Sequence, residues 1–320
     1  MDNPESRVTD EVRQTADAIG TMEIRGAATI ADAAAKALRT QAEQSSAETA
    51  DELRAELRAA ARVLHDTRPT AVSLPNALRY VLFDADGATV EDVRASVVTS
   101  VVEFCDRLEN AQTDLGRVGA NRLRDGDTIM THCHSTDVLA CVEAAVEQGK
   151  DLTAIVKETR PRLQGHITAR ELVEMGVDVT LIVDSAARRY MNDVDHVLVG
   201  ADSIAADGSV INKIGTSGLA VTARDRGTPI VCAAQTIKLH PDTLTGHTVD
   251  IEMREESEVI DPDEADEIGD ITVKNPAFDV TPPRYVDAIV TERGQYPPES
   301  IVTLMRDLFG EGTTEPWVVE

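Results

Sequence analysis

One cysteine stands between two histidines in IMTHCHSTDVLACVEAA (residues 129–145), where an apolar run stops and a helical pattern begins. Three roles suit Cys133: metal ligand, reactive thiol or small buried hydrophobe. Zinc needs three or four converging ligands. His132, Cys133 and His134 are consecutive, and on an extended backbone their side chains point to alternating sides. His166, His196 and His240 add no supporting spacing, so metal is the weakest reading. Cys105, Cys141 and Cys232 fall within helical or strand patterns and read as buried hydrophobes. Cys133 differs, because it ends a strand just before a helix N-terminus, where partial positive charge favours the thiolate. We read it as a base or nucleophile.

Asp202 in VLVGADSI directly follows an apolar strand pattern. Low in a cleft, desolvation raises a carboxyl's pKa and makes it a proton donor. A cap or loop aspartate fits the residues equally well. Among the cations, Lys213 in INKIGTSG and Lys238 in TIKLHP stand out in a chain with six lysines. The GTSG that follows Asn212 and Lys213 offers backbone N–H groups for an anion at a helix start. Arg25 in IRGAATI and Arg68 in TRPTA lie in bends marked by glycine or proline, and Arg160 and Arg162 flank a proline. Several cations in such loops point to a substrate with more than one phosphate.

These residues need a scaffold. Up to about Arg124 the pattern is helical: ETADELRAELRAAARVL repeats apolar residues at steps of three and four, and TVEDVRASVVTSVVEFC does so with Thr89 as its cap. From about Asp127 short apolar runs alternate with helical stretches: DTIMTH, DLTAIVKE, DVTLIVD, DHVLVGAD, PIVCAA and VDAIVTE. Strands alternating with helices predict a parallel sheet covered on both faces. The expected fold is α/β: an N-terminal helical domain (1–124) and a C-terminal Rossmann-like domain (125–320) with a mainly parallel sheet. No GxGxxG follows the first strand, so no dinucleotide site is indicated. In such sheets ligands bind at the carboxyl ends of the strands, and THCHS, KETRPRLQG, GADSI and AAQTIKLHP all gather there. REESEVIDPDEADEIGD reads as an acidic, solvated excursion.

The charge is extreme: 57 acidic against 31 basic residues, a formal net of −26. Such a field repels nucleic acid and anionic membranes. It suits a cell with molar internal salt, where screening removes self-repulsion. No apolar run is long enough for a membrane span and no signal core opens the chain, so a cytoplasmic location is expected.

RGAATI, TRPTAVSLPNAL, THCHS, KETRPRLQG, LIVDSAARRYMNDVDHVLVGADSIAADGSVINKIGTSGLA and NPAFDVTPPRYVDAIVTERG together resemble the family joining translation initiation factor 2B regulatory subunits, methylthioribose-1-phosphate isomerase and ribose-1,5-bisphosphate isomerase. The resemblance runs from about Arg25 to Gly294. It implies a helical domain on a Rossmann-like domain, with the active site in the cleft between. Isomerase members pair a cysteine with an aspartate, matching Cys133 and Asp202 here, whereas the regulatory subunits generally lack the pair. THCHST departs from the methylthioribose-phosphate pattern and is closer to the archaeal enzymes of ribose bisphosphate. The resemblance thus implies conversion of ribose 1,5-bisphosphate to ribulose 1,5-bisphosphate in nucleotide salvage, without metal or organic cofactor. It implies Arg25, Gly26, Ala27, Ala28, Arg68, Ser135, Asn212, Lys213 and Lys238 as phosphate and sugar contacts. It further suggests AMP as an activator and a homo-oligomer built from dimers, up to a hexamer.

Overall fold

The computed structural model describes residues 4–68, 71–83, 85–310 and 315–318. It divides into two compact units, the first running to Ala111 and taking back the C-terminal residues 315–318, the second covering Gln112 onward. The first unit is helical: α1 (Asp10–Gly20), α2 (Ala27–Gln44), α3 (Ala50–His65), α4 (Ser73–Phe83) and the first part of α5 (Val90–Ala120). Polar caps set these helices. Thr49 and Glu52 form a reciprocal capping box on α3. Thr89 and Asp92 exchange hydrogen bonds at the start of α5, as Thr89's position predicts. The core is small-residue rich, with Ala31, Ala34, Ala35, Leu38, Leu57, Ala60 and Leu78 essentially fully buried. Trp317 returns to it, 5.1 Å from the His65 ring and under the Arg79 guanidinium.

The second unit alternates strand and helix. In chain order come β1 (Thr128–Thr131), α6 (Thr136–Glu147), β2 (Thr153–Lys157), α7 (Gln164–Glu174), β3 (Asp178–Ile182), α8 (Ala187–Tyr190) and β4 (His196–Val199). Then follow β5 (Ser203–Ile204), β6 (Val210–Lys213), α9 (Thr216–Arg226), β7 (Ile230–Ala233), α10 (Pro262–Ile268), β8 (Phe278–Thr281), β9 (Ala288–Thr291), β10 (Gly294–Tyr296) and α11 (Ile301–Phe309). The main sheet has the order β10-β9-β7-β4-β1-β2-β3, all parallel except β10. This is the α/β, mainly parallel architecture expected, and each of the six apolar runs is one of its strands.

β1, β2, β4, β7 and β9 are apolar because both sheet faces are covered there, whereas the edge strand β3, expected to be covered likewise, leaves Leu181 46% exposed. Alternate residues feed opposite cores. Met130, Val197, Val199, Cys232 and Ile289 pack with Leu219, Ile301 and Met305 on one side. Ile129, Leu198, Val231 and Val290 pack with Val138, Val142 and Leu172 on the other. Leu115 and Ala120, from the end of α5, join this second core. The compact units therefore part within α5, ahead of the change in sequence rhythm near residue 124. Two features fall outside the rhythm: the antiparallel edge strand β10, and a three-stranded sheet of order β5-β6-β8.

Candidate active site

Strand order reverses direction between β1 and β4, the point where an open parallel sheet leaves a crevice at its carboxyl ends. Cys133 follows β1 and Asp202 follows β4, so the two candidates leave adjacent strands on the same edge of the sheet. Gly200 lets the segments that follow β1 and β4 pack closely, because a Cβ there would collide with the side chain of Ser135.

Cys133 adopts a left-handed backbone, φ 70°. For a non-glycine residue this is strained and requires support. Two threonines supply it: the Cys133 N–H donates to Thr159 Oγ1 at 2.9 Å, and Thr168 Oγ1 donates to the Cys133 carbonyl at 2.9 Å. The flanking histidines anchor either side. His132 lies 2.9 Å from the Ile214 carbonyl and His134 lies 3.2 Å from Thr168 Oγ1. Burial, reinforced by Lys157, pushes His132 down to about 4, so it is neutral and donates to Ile214 from Nε2.

The expectation of a standing thiolate is corrected. Ser135 caps α6 by accepting from the Val138 N–H, and Cys133 lies before that cap rather than in the helix's first turn. Burial, then the charge of Asp202, pushes the Cys133 thiol up to about 11, against smaller opposing effects of the His134 N–H, Lys213 and Arg254. Asp202 is also raised, by desolvation, although Lys238, Lys213 and Arg254 pull it down. The residue itself is exposed to solvent, so this desolvation comes from the protein packed around it and not from full burial. The Asp202 backbone N–H donates to Ile211, which ties it to β6.

Of the predicted contacts, Asn212 and Lys213 end β6 and are buried. Asn212 Nδ2 donates to Thr216 Oγ1 at 3.0 Å. Lys213 pairs across the small sheet with Phe278, and its Nζ lies 5.0 Å from that ring's centroid. Desolvation, with Arg254, lowers its pKa. Lys238 is not a free cation: its Nζ donates at 2.8 Å to Asp137, which is fully buried and also accepts from Gln235 Nε2. Burial lowers Lys238, but the charge and hydrogen bond of Asp137 outweigh it. Arg25, Gly26, Ala27, Ala28 and Arg68 belong to the first unit. There Gly26, φ 90°, makes the bend into α2 without a side-chain cap, Ala27 and Ala28 form its first turn, and Arg25 is exposed. Pro69 and Thr70 of the TRPTA motif lie outside the described residues.

One sequence expectation changes and one is refined. The N–H groups of GTSG do not await an external anion: Asp279 Oδ2 accepts from Gly215 at 2.7 Å and Oδ1 from Ser217 at 3.0 Å. The acidic excursion is largely exposed, as expected, but its start is tied down. Ala277 donates to the Glu252 carbonyl and Arg254 to the Asn275 carbonyl, which pins Glu252–Arg254 beside the run into β8. Farther along, Glu258 holds Arg162 through two bonds of 2.8 and 2.6 Å. Sequence reasoning missed Asp137, Thr159, Lys157 and Arg254. Lys157 alone carried a signal, as one of six lysines and the last residue of a strand; its ammonium is buried 3.9 Å from Asp184.

The sequence matches the Initiation factor 2 subunit family over residues 23–298. The chain belongs to that family. It is 77% identical over 313 residues to the ribose 1,5-bisphosphate isomerase of Haloferax volcanii, covering 98% of this chain and 97% of that protein. It is 68% identical to the protein of the same name from Haloterrigena turkmenica, over 99% of each. Among solved structures, the translation initiation factor eIF-2B of Pyrococcus horikoshii superposes with a TM-score of 0.76 at 30% identity, covering 92% of this chain and 99% of that one. Identity this high over almost all of both chains places this family member among the isomerases, and it is an enzyme.

Proposed function

We propose that this isomerase converts α-D-ribose 1,5-bisphosphate to D-ribulose 1,5-bisphosphate, with Asp202 as acid and Cys133 as base. The observation that carries the roles is the placement of a raised carboxyl and a supported, left-handed cysteine at the ends of adjacent strands, with Lys213 beside them.

A furanose phosphorylated at C1 cannot open to a free aldehyde, so the ring C1–O bond must break during isomerisation. Protonated Asp202 gives its proton to the ring oxygen as that bond breaks. Cys133 takes the proton from C2, leaving an enol phosphate across C1 and C2. The thiol then returns that proton to C1, and Asp202 recovers one from the C2 hydroxyl as it becomes a ketone. Atoms balance, and both groups end as they began.

The charge of Asp202 raises the Cys133 thiol, so the thiol's titration depends on the protonation of Asp202. Catalysis is assigned to the form in which the proton sits on Asp202 and the thiolate faces Lys213 and Arg254. Arg25, Gly26, Ala27, Ala28, Arg68, Ser135, Asn212, Lys213 and Lys238 are retained as substrate contacts, the uncapped N–H groups at the start of α2 being suited to a phosphate. A cytoplasmic location, a homo-oligomer, activation by AMP and a place in AMP breakdown accompany this reading on the family resemblance alone. Among the described residues no helix is long and apolar enough to cross a membrane.

The test is incubation with ribose 1,5-bisphosphate, scored for ribulose 1,5-bisphosphate, alongside methylthioribose 1-phosphate. A higher kcat/KM for the bisphosphate is expected. No product, or equal turnover of the thioether sugar, would overturn the substrate.

A further inference from the structure

Lys213 and Arg254 form an unbalanced pair of cations. Both lie within cation–π range of one ring, with Lys213 Nζ 5.0 Å and Arg254 Cζ 5.7 Å from the centroid of Phe278. Both are mostly buried: Lys213 is 4% exposed and the Arg254 side chain 12%. Among the described residues Lys213 Nζ has no carboxylate within 4.0 Å, and Arg254 has one carboxylate contact, Nε to Glu252 Oε1 at 3.2 Å. The two Nη groups of Arg254 make no hydrogen bond there. Like charges gathered out of water repel, and burial together with Arg254 lowers the pKa of Lys213, which an anion joining the two would relieve. The backbone nonetheless fixes the arrangement. Lys213 is registered opposite Phe278 in the β6–β8 ladder, and Arg254 is held by its N–H to the Asn275 carbonyl. Glu258 and Asp202 act on the pair only from beyond 4.0 Å, so among the described residues the ammonium and the two Nη groups stay open at hydrogen-bond range. An arrangement so firmly built suits a phosphate dianion, which a guanidinium fork binds through two parallel bonds.

We propose that Arg254, carried by the acidic excursion, is a substrate-binding residue that joins Lys213 in holding the substrate phosphate nearest the reacting carbons. This rests on the sugar bisphosphate reading above. It assigns the phosphate on C1, because Lys213 and Arg254 both act electrostatically on Cys133 and Asp202, which must address C1, C2 and the ring oxygen. The excursion is thereby part of the binding site.

The test uses the full chain at constant multimolar KCl. Arg254→Gln should raise KM for ribose 1,5-bisphosphate about tenfold or more, with a smaller change in kcat, and weaken calorimetric binding of the sugar to the Cys133→Ser protein by a similar factor. Arg254→Lys keeps the charge and loses the fork, so its KM should lie between those of the parent and the Gln protein. A folded Gln variant whose KM and binding stay within twofold of the parent overturns the inference. If the Gln variant does not fold, the Lys variant decides, and an unchanged KM there has the same force. Inorganic phosphate at fixed ionic strength separates this inference from the choice of substrate. If the parent turns over no sugar bisphosphate, the substrate reading fails. The role of Arg254 is then scored by whether the phosphate-induced rise in melting temperature disappears in the Gln variant, which supports it, or persists, which overturns it.

Discussion

The protonation state of Cys133 is the sharpest consequence of the site. With the thiol pushed up to about 11 by burial and Asp202, the thiolate fraction at pH 7 is only about 10⁻⁴, equivalent to about 5 kcal/mol. Alkylation by iodoacetamide, followed by mass spectrometry of the peptide that carries Cys133, reads this directly. In the unliganded protein the rate at Cys133 should rise about tenfold per pH unit from 7 to 10 and level off near 11. Asp202→Asn removes the charge that ranks next after burial among the influences raising the thiol. Its profile should therefore shift to lower pH, by less than the full displacement because burial persists. The same variant should lose turnover by about 10² to 10⁴, since it can no longer donate to the ring oxygen. Reactivity would thus rise as activity falls. A midpoint near neutrality in the parent, or an unchanged or upward shift in Asp202→Asn, would refute the coupled titration. Near-normal turnover in Cys133→Ser or Asp202→Asn would remove the assigned roles.

Other perturbations probe the support. Thr159→Val deprives the buried Cys133 N–H of its acceptor, and should cost about 1–3 kcal/mol in denaturant unfolding and lower kcat more than it raises KM. Asp137→Asn leaves Lys238 buried without its carboxylate, and a loss of about 3–5 kcal/mol in the same assay is expected. Because the Cys133 pKa is raised from 9.0 to about 11 on folding, its contribution is complete below pH 9 and is lost as pH rises through 11. The parent should lose about 3 kcal/mol more over that window than Cys133→Ser. The net charge of −26 predicts a melting temperature that climbs from low to multimolar KCl, where the screening length falls to about 3 Å.

The parallel sheet was legible because a strand buried on both faces must be apolar throughout, and DTIMTH, DHVLVGAD and PIVCAA meet that demand in six residues or so. β10 was not legible, since an edge strand of three residues, GQY, has one neighbour and carries no periodicity. The small sheet was hidden for a related reason. β5 is two residues long, and β6 was read as a loop bearing useful cations when it is a strand that aims them.

Cys133 and Asp202 could be singled out because each follows a strand whose end can be read, and strand ends are where this architecture puts chemistry. The direction of the thiol's pKa could not be read, because helix-end electrostatics and burial pull oppositely and only coordinates give the burial. The GTSG cradle looked vacant since Asp279, its occupant, lies 62 residues beyond Ser217 in sequence. Arg254 shows the limit most plainly. It opens REESEVIDPDEADEIGD, where carboxylates dominate and averaged composition points to a solvated face. Its position is instead fixed by the run Asn275–Phe278, some twenty residues on, through one backbone hydrogen bond and one ring. Long-range pairing of that kind leaves no mark on local composition. In a chain this acidic, an arginine's surroundings in sequence therefore say little about the charge it faces in space.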